Sequence, residues 1–118
     1  MSYVGTNPSF GVSESEISDT LAANQNNYSP TGWGPATVAL LTASGANRDV
    51  TGAAAPTGSD SIRKTIFNVG TTNNIVLKNE DGSSSPANRF DLGADVTILP
   101  KGGLQIVYDS TNARWKVF

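Results

Sequence analysis

The chain predicts an all-β domain, a small antiparallel β-sandwich or barrel-like (jelly-roll-like) fold. Three observations support this. Short runs rich in Val, Ile, Thr and Phe recur along the 118 residues. Turn signals separate them at intervals of about 8 to 12 residues. Glycine, asparagine, serine and threonine are abundant while charges are sparse, a composition suited to short strands and many turns.

The central stretch, residues 62–90, supplies two strands. Ile62, Thr65, Ile66, Phe67 and Val69 build the first, over residues 61–68, and Ile75, Val76 and Leu77 build the second, over residues 74–79. Gly70-Thr71-Thr72-Asn73-Asn74 joins them with residues that tolerate turn dihedrals. Upstream, residues 37–42 (TVALLT) read as a strand buried on both faces. Residues 48–52 form a short strand centred on Val50. Downstream, residues 94–99 alternate Val96 and Ile98 against Asp95 and Thr97. Residues 104–108 place Leu104, Ile106 and Tyr108 on one face, and residues 114–118 do the same with Trp115 and Val117. Hairpin-length connections, Pro100-Lys101-Gly102-Gly103 among them, predict that these last three strands form a meander.

Residues 1–30 read differently. They carry Glu14, Glu16 and Asp19 and no basic side chain. Ser13 and Glu16 match a capping box, and a short helix over residues 14–23 would place Ile17 and Leu21 on one face. A single apolar pair cannot hold an isolated helix, because nucleation is costly. The segment is therefore either disordered or ordered by a partner; the expectation is an extended N-terminal docking arm over residues 1–30, with a loose tail or a part of the fold as the alternative, followed by the β domain over residues 31–118. Tyr3, Phe10, Ile17, Leu21 and Tyr28 are its candidate docking side chains. Residues 24–35 hold two prolines and two glycines and read as an irregular boundary, with Tyr28 and Trp33 either covering an end of the core or anchoring an intermolecular contact.

Composition narrows the function. The formal charge is −2, which disfavours electrostatic nucleic-acid binding. No apolar run is long enough for a membrane span, and the first ten residues lack the pattern of a secretory signal. Histidine and cysteine are absent, so disulfides, thiolate metal sites and His-dependent triads are excluded. The carboxylates Glu80, Asp81, Asp91 and Asp95 are the remaining candidates for glycosidase-type or calcium chemistry. They fall in loops and turns, where Asp serves local hydrogen bonding, and no calcium-loop signature surrounds them. No catalytic residue, cofactor or metal is expected. Arg89, between Asn88 and Phe90, is a candidate for a bidentate bond to a carboxylate such as Asp91 or Asp95 of a neighbouring subunit, the alternative being an intrachain pair or a solvated side chain.

Several short motifs belong together. They are Asn73-Asn74-Ile75-Val76-Leu77-Lys78, Ser83-Ser84-Ser85-Pro86-Ala87, Asn88-Arg89-Phe90, the run from Asp95 to Gly103, and Tyr108-Asp109-Ser110-Thr111 with Arg114-Trp115. Asn24-Gln25-Asn26-Asn27-Tyr28 and Asn47-Arg48-Asp49-Val50-Thr51-Gly52 look like the start of the same unit. Together the set resembles a β-rich module of tailed-bacteriophage virion proteins, found in tail fibres, head fibres and capsid decoration proteins, and it covers roughly residues 24–118. The resemblance implies a non-enzymatic structural role, usually as a homotrimer. The shortness of the chain favours a capsid decoration (cement) protein bound to the major capsid protein on the outer surface of the head and assembled in the host cytoplasm. A fibre or spike tip that binds a receptor or glycan is the alternative. For the trimer, Trp33, Arg89, Phe90, Trp115 and Phe118 are the candidate intersubunit residues.

Overall fold

The computed structural model describes residues 15–118. Among these residues there are eight strands: β1 Glu16–Leu21, β2 Val38–Ala43, β3 Arg48–Val50, β4 Arg63–Asn68, β5 Ile75–Leu77, β6 Val96–Ile98, β7 Gly103–Asp109 and β8 Arg114–Val117. One short 3₁₀ turn spans Pro86–Asn88. The all-β expectation holds, and seven of the strands lie within two residues of their expected positions.

The pairing is mixed rather than antiparallel throughout. A five-stranded sheet has the order β1-β2-β4-β7-β8, and a three-stranded sheet has the order β3-β5-β6. β1, β2 and β4 run parallel, as do β3 and β5, while β4-β7, β7-β8 and β5-β6 are antiparallel. Consecutive strands therefore often lie in different sheets. β4 and β5 do so although a short turn joins them. The expected meander is kept only between β7 and β8, since β6 pairs with β5. Asn68 explains the division. It is fully buried, and its amide donates to the carbonyls of Asn73 and Ile98 while its oxygen accepts from Gly70 N. One side chain thus anchors both chain reversals where they cross between the sheets.

Residues 16–21 are a strand, not a helix. Ile17 and Leu21 are four apart, which fits one face of a helix and one face of a strand equally well. Tertiary pairing decides between them. β1 lies in register along all of β2, from Glu16 opposite Val38 to Leu21 opposite Ala43. Side chains of Glu16, Ser18 and Thr20 are exposed, and Leu21 is fully buried. The chain then continues into parallel bridges, Gln25 with Val50 and Tyr28 with Ala53. Residues 15–30 consequently belong to the β domain, and the expected arm boundary at residue 30 is too late. Ile17, Leu21 and Tyr28 pack with the core instead of standing ready to dock.

Isolated bridges close the two sheets into a barrel-like circuit. Residue 89 pairs with Gly52 on one side, and Phe90 pairs with Trp115 and with Asn79. Trp115 N donates to Arg89 O, Asp91 N to Trp115 O, and Ala53 N to Asn88 O. Residues 88–91 therefore bond to β8 on one side and to the chain after β3 on the other. Inside lie Leu21, Leu41, Val50, Ile66, Ile75, Leu77, Phe90, Ile98, Ile106 and Trp115.

The closure is tight at Gly52. A Cβ there would meet Asn88 O and Ser84 Cβ, both at 2.6 Å. Gly82 has nothing within 4 Å of its would-be Cβ. Gly52→Ala should therefore cost about 1–3 kcal/mol of stability, as overpacking against backbone does. Gly82→Ala should stay within about 0.5 kcal/mol of the parent. Urea titrations of the two variants check this contrast.

Candidate functional site

Four of the aromatic residues singled out in the sequence, Tyr28, Trp33, Trp115 and Tyr108, form one connected chain of rings. Tyr28 meets Trp33 edge-on at 5.6 Å, Trp33 meets Trp115 at 6.1 Å, and Trp115 meets Tyr108 at 5.1 Å. These are the edge-to-face geometries that the ring quadrupole favours. Each polar tip has a partner. Trp33 Nε1 donates to Ala54 O, Trp115 Nε1 to Ala53 O, Tyr28 OH to Asp19 Oδ2 at 2.6 Å, and Tyr108 OH to Ala87 O. Trp33, Phe90 and Trp115 are thus core residues, and the reading of them as intersubunit contacts is corrected. Their rings close the barrel and leave little surface for a neighbour.

Arg89 is engaged within its own chain. Its Nε donates to Ser84 O at 3.0 Å. The carboxylates expected to receive it are taken by others, Asp91 by Lys116 and Asp95 by Lys78. Glu80 receives Arg114 Nε, and Asp81 accepts from Ser83 N. The hydrogen bond from Ser83 N lowers the pKa of Asp81, and the bond from Lys78 lowers that of Asp95. Each candidate acid therefore serves a turn or an ion pair. Among the described residues no group of three or more acids is placed to hold a metal ion. Tyr3 and Phe10 lie outside the described residues. Phe118 is 58% exposed, with the Arg63 guanidinium 4.9 Å over its ring, and is the one trimer candidate whose side chain presents substantial surface.

No family model, curated protein or solved structure matches the chain. The surface must therefore be read on its own chemistry. The five-stranded sheet turns Ala39, Leu41, Ile66 and Ile106 inward. By alternation its outer face carries Val38, Leu40, Thr65, Phe67, Gln105 and Val107. Phe67 lies across Gly103, where an added Cβ would sit 2.7 Å from its ring. Val69 and Phe118 extend the exposed apolar surface toward opposite ends of this face. For an outward sheet face, where polar side chains are usual, this is an apolar surface.

Lys64 is the functional-looking group that sequence reasoning passed over. It is only 3% exposed. Its ammonium donates to Trp33 O, Gly34 O and Ala36 O at 2.6, 3.0 and 2.7 Å and sits 4.6 Å over the Trp33 ring. The signal was its position: Lys64 shares strand parity with Ile66 and Asn68, so it points inward. Its three acceptors fix the irregular segment 33–36 against β4, so the buried charge acts as a strut. Burial pulls its pKa down to about 8, with Asp60 opposing.

This sets a pH dependence. Between about pH 8 and the ordinary lysine range near 10.4, the unfolded chain holds more protons at Lys64 than the folded one, so stability rises with pH. Burial, reinforced by Asp19, moves the Tyr28 phenol the other way, above its ordinary value. Above about pH 10 the unfolded phenol ionises while the folded one does not, and stability falls. The ion-paired Lys78 and Lys116, whose pKa values their carboxylate partners raise, add to this fall. Thermal melts should show a maximum near pH 10. Lys64→Met should flatten the rising limb, and Tyr28→Phe should soften the falling one. An unchanged rising limb in Lys64→Met would remove Lys64 as its cause.

Proposed function

We propose that this protein is a non-enzymatic virion structural protein of a tailed bacteriophage, a homotrimeric decoration protein that binds the outside of the head and stabilises it. One observation carries the reading. The motifs that resemble the phage module fall on the residues that close the fold. Asn88-Arg89-Phe90 bridges β8 to the chain after β3, and Trp115 and Tyr108 complete the ring chain around it. The likeness is therefore one of scaffold, in keeping with a mechanical role. The apolar outer face of the five-stranded sheet supplies surface for contact with other subunits.

The mechanism is bridging. Each copy buries apolar and backbone surface against the major capsid protein, and three linked copies bind with an avidity far above that of one contact. Such bridges oppose the outward pressure of packaged DNA. Because residues 15–30 fold into the domain, docking by an arm falls to residues 1–14, with Tyr3 and Phe10 as their aromatic side chains. The acidic balance of the chain suits a basic capsid surface.

The test is the mass of the purified protein in solution, followed by co-sedimentation with undecorated heads. A trimer that binds heads and raises their thermal resistance is the expected result. A trimer that ignores heads and binds host cells would replace this reading with a fibre tip. A monomer that does neither would overturn both.

A further inference from the structure

We propose that β1 is a docking edge, to which an extended basic segment of a partner protein adds as a further strand of the large sheet, bonding to the outward backbone groups of Glu16 and Ser18. The pairing of β1 shows where those groups point. In its parallel register with β2, Ser15 O accepts from Val38 N and Leu21 O accepts from Ser44 N. Backbone groups alternate sides along a strand, so residues 15, 17, 19 and 21 turn theirs toward β2. Those of Glu16, Ser18 and Thr20 turn away from the sheet. Thr20 N is taken by Asp19 Oδ1 at 3.0 Å. Among the described residues no other hydrogen bond reaches the outward backbone groups of β1.

The two edges of the large sheet therefore differ. β8 is bonded on its outer side, with Trp115 N donating to Arg89 O and Asp91 N to Trp115 O. β1 is six residues long and holds neither the lysine nor the proline that commonly blunts an exposed edge. A row of unused donors and acceptors on such a strand is the template for strand addition.

Charge selects the occupant. Glu16 and Asp19 are the charged residues of β1, and the strand has no basic one. Asp19 is engaged, its Oδ2 accepting from Tyr28 OH at 2.6 Å. The Glu16 carboxylate is exposed and has no partner among the described residues. A second copy would bring two more acids and no cation to this edge. A strand carrying Lys or Arg sets opposite charges across the pair, which stabilises cross-strand neighbours where like charges do the reverse.

The outer face has room for such a side chain. Beside β1 a groove of about 540 Å³ is lined by Ser18, Asp19, Thr20, Leu40, Thr42 and Val69. A residue of the added strand opposite Ser18 stands on this face. A lysine or arginine there reaches back across the small Ser18 and Thr20 side chains, its methylenes toward Leu40. At the far end of the groove Lys101 is bonded to Val69 O, so the acids stand at the β1 end. The contact asks for a partner strand and not for a phage head, so it stands or falls apart from the decoration reading.

The test is amide exchange and chemical-shift mapping by NMR on the full chain, with a capped peptide of alternating lysine and valine as the probe. In the dilute free protein the Ser18 amide should exchange faster than those of Ile17 and Asp19. Saturating peptide should shift the signals of residues 16–20 and slow exchange at Ser18 about tenfold. The same peptide with glutamate for lysine, or with its backbone N-methylated at alternate residues, should do neither. Ser18→Pro removes an N–H that β2 does not use, a place where an edge strand tolerates proline. It should abolish the response while the Trp33 and Trp115 indole signals stay in place. Glu16→Lys should exchange the preference for the lysine peptide for one for the glutamate peptide. A Ser18 amide already protected in dilute protein would overturn the proposal, because the chain would then cover its own edge. Protection that grows with protein concentration alone would overturn it in favour of a second copy. No response to the lysine peptide, or an equal response to the N-methylated one, would overturn it outright.

Discussion

The fold depends on the insertion of residues 88–91 between β8 and the chain after β3. Those four residues donate or accept on both sides, and Phe90 and Trp115 fill the space beneath them. Without that bridge the five-stranded sheet would end at β8 with an open edge, and the second sheet would be three short strands. Two- and three-stranded sheets of this length are marginal in water without a packed face. Closure places both sheets around one set of rings, so that the small core of a chain this size is shared by every strand. The polar tips of Trp33 and Trp115 bond to consecutive carbonyls, Ala54 and Ala53, and so fix the segment after β3 from inside.

A second layer of polar bonds holds the loops on that frame. Ser84 is buried, and its hydroxyl lies 2.7 Å from Thr51 Oγ1 and accepts from Asn27 N. Asn27, with φ of 49°, accepts from Ser85 N and from the Asn88 amide. Three loops far apart in sequence thus meet through short polar side chains. A buried hydroxyl or amide left without a partner costs about 1–3 kcal/mol, so such a cluster is worth having only when complete. Gly52 belongs to it, because no side chain fits between Ser84 and the Asn88 carbonyl.

The strands were legible because alternation and turn residues are local signals. Val96, Ile98, Leu104 and Ile106 declare their faces within a few residues. Topology was not legible, because no local signal tells β6 to pair with β5 rather than β7. That choice rests on Asn68, whose amide reaches across to Ile98 O, and on parallel pairings between segments well separated in sequence. β1 was misread for a related reason: four-residue spacing satisfies both periods, and only β2 decides. For the aromatic residues the sequence leaves core and interface both open. Trp and Tyr are common both in cores and at interfaces, and the carbonyls that receive their polar tips come from loops whose position the sequence does not reveal. Lys64 shows a separate error. A lysine reads as surface, yet three carbonyls converging from residues 33–36 make an inward ammonium acceptable.

The division between inside and outside bears on how function is encoded here. Trp115, Phe90, Asn88 and Tyr108 are used up in closing the barrel. Substituting them changes stability before it changes recognition. Any specificity for a partner must therefore come from side chains the scaffold does not need: the outer face of the large sheet, Ile62 and Phe118 at one end of it, and the residues before Ser15. The scaffold leaves these positions free to vary, because Arg63, Thr65 and Gln105 can change without disturbing the inward row of Lys64, Ile66 and Ile106 on the same strands. Period-two alternation is what separates the two roles. Each of these strands carries stability on one face and contact chemistry on the other, so a single closed frame can serve different assemblies by changing one set of residues.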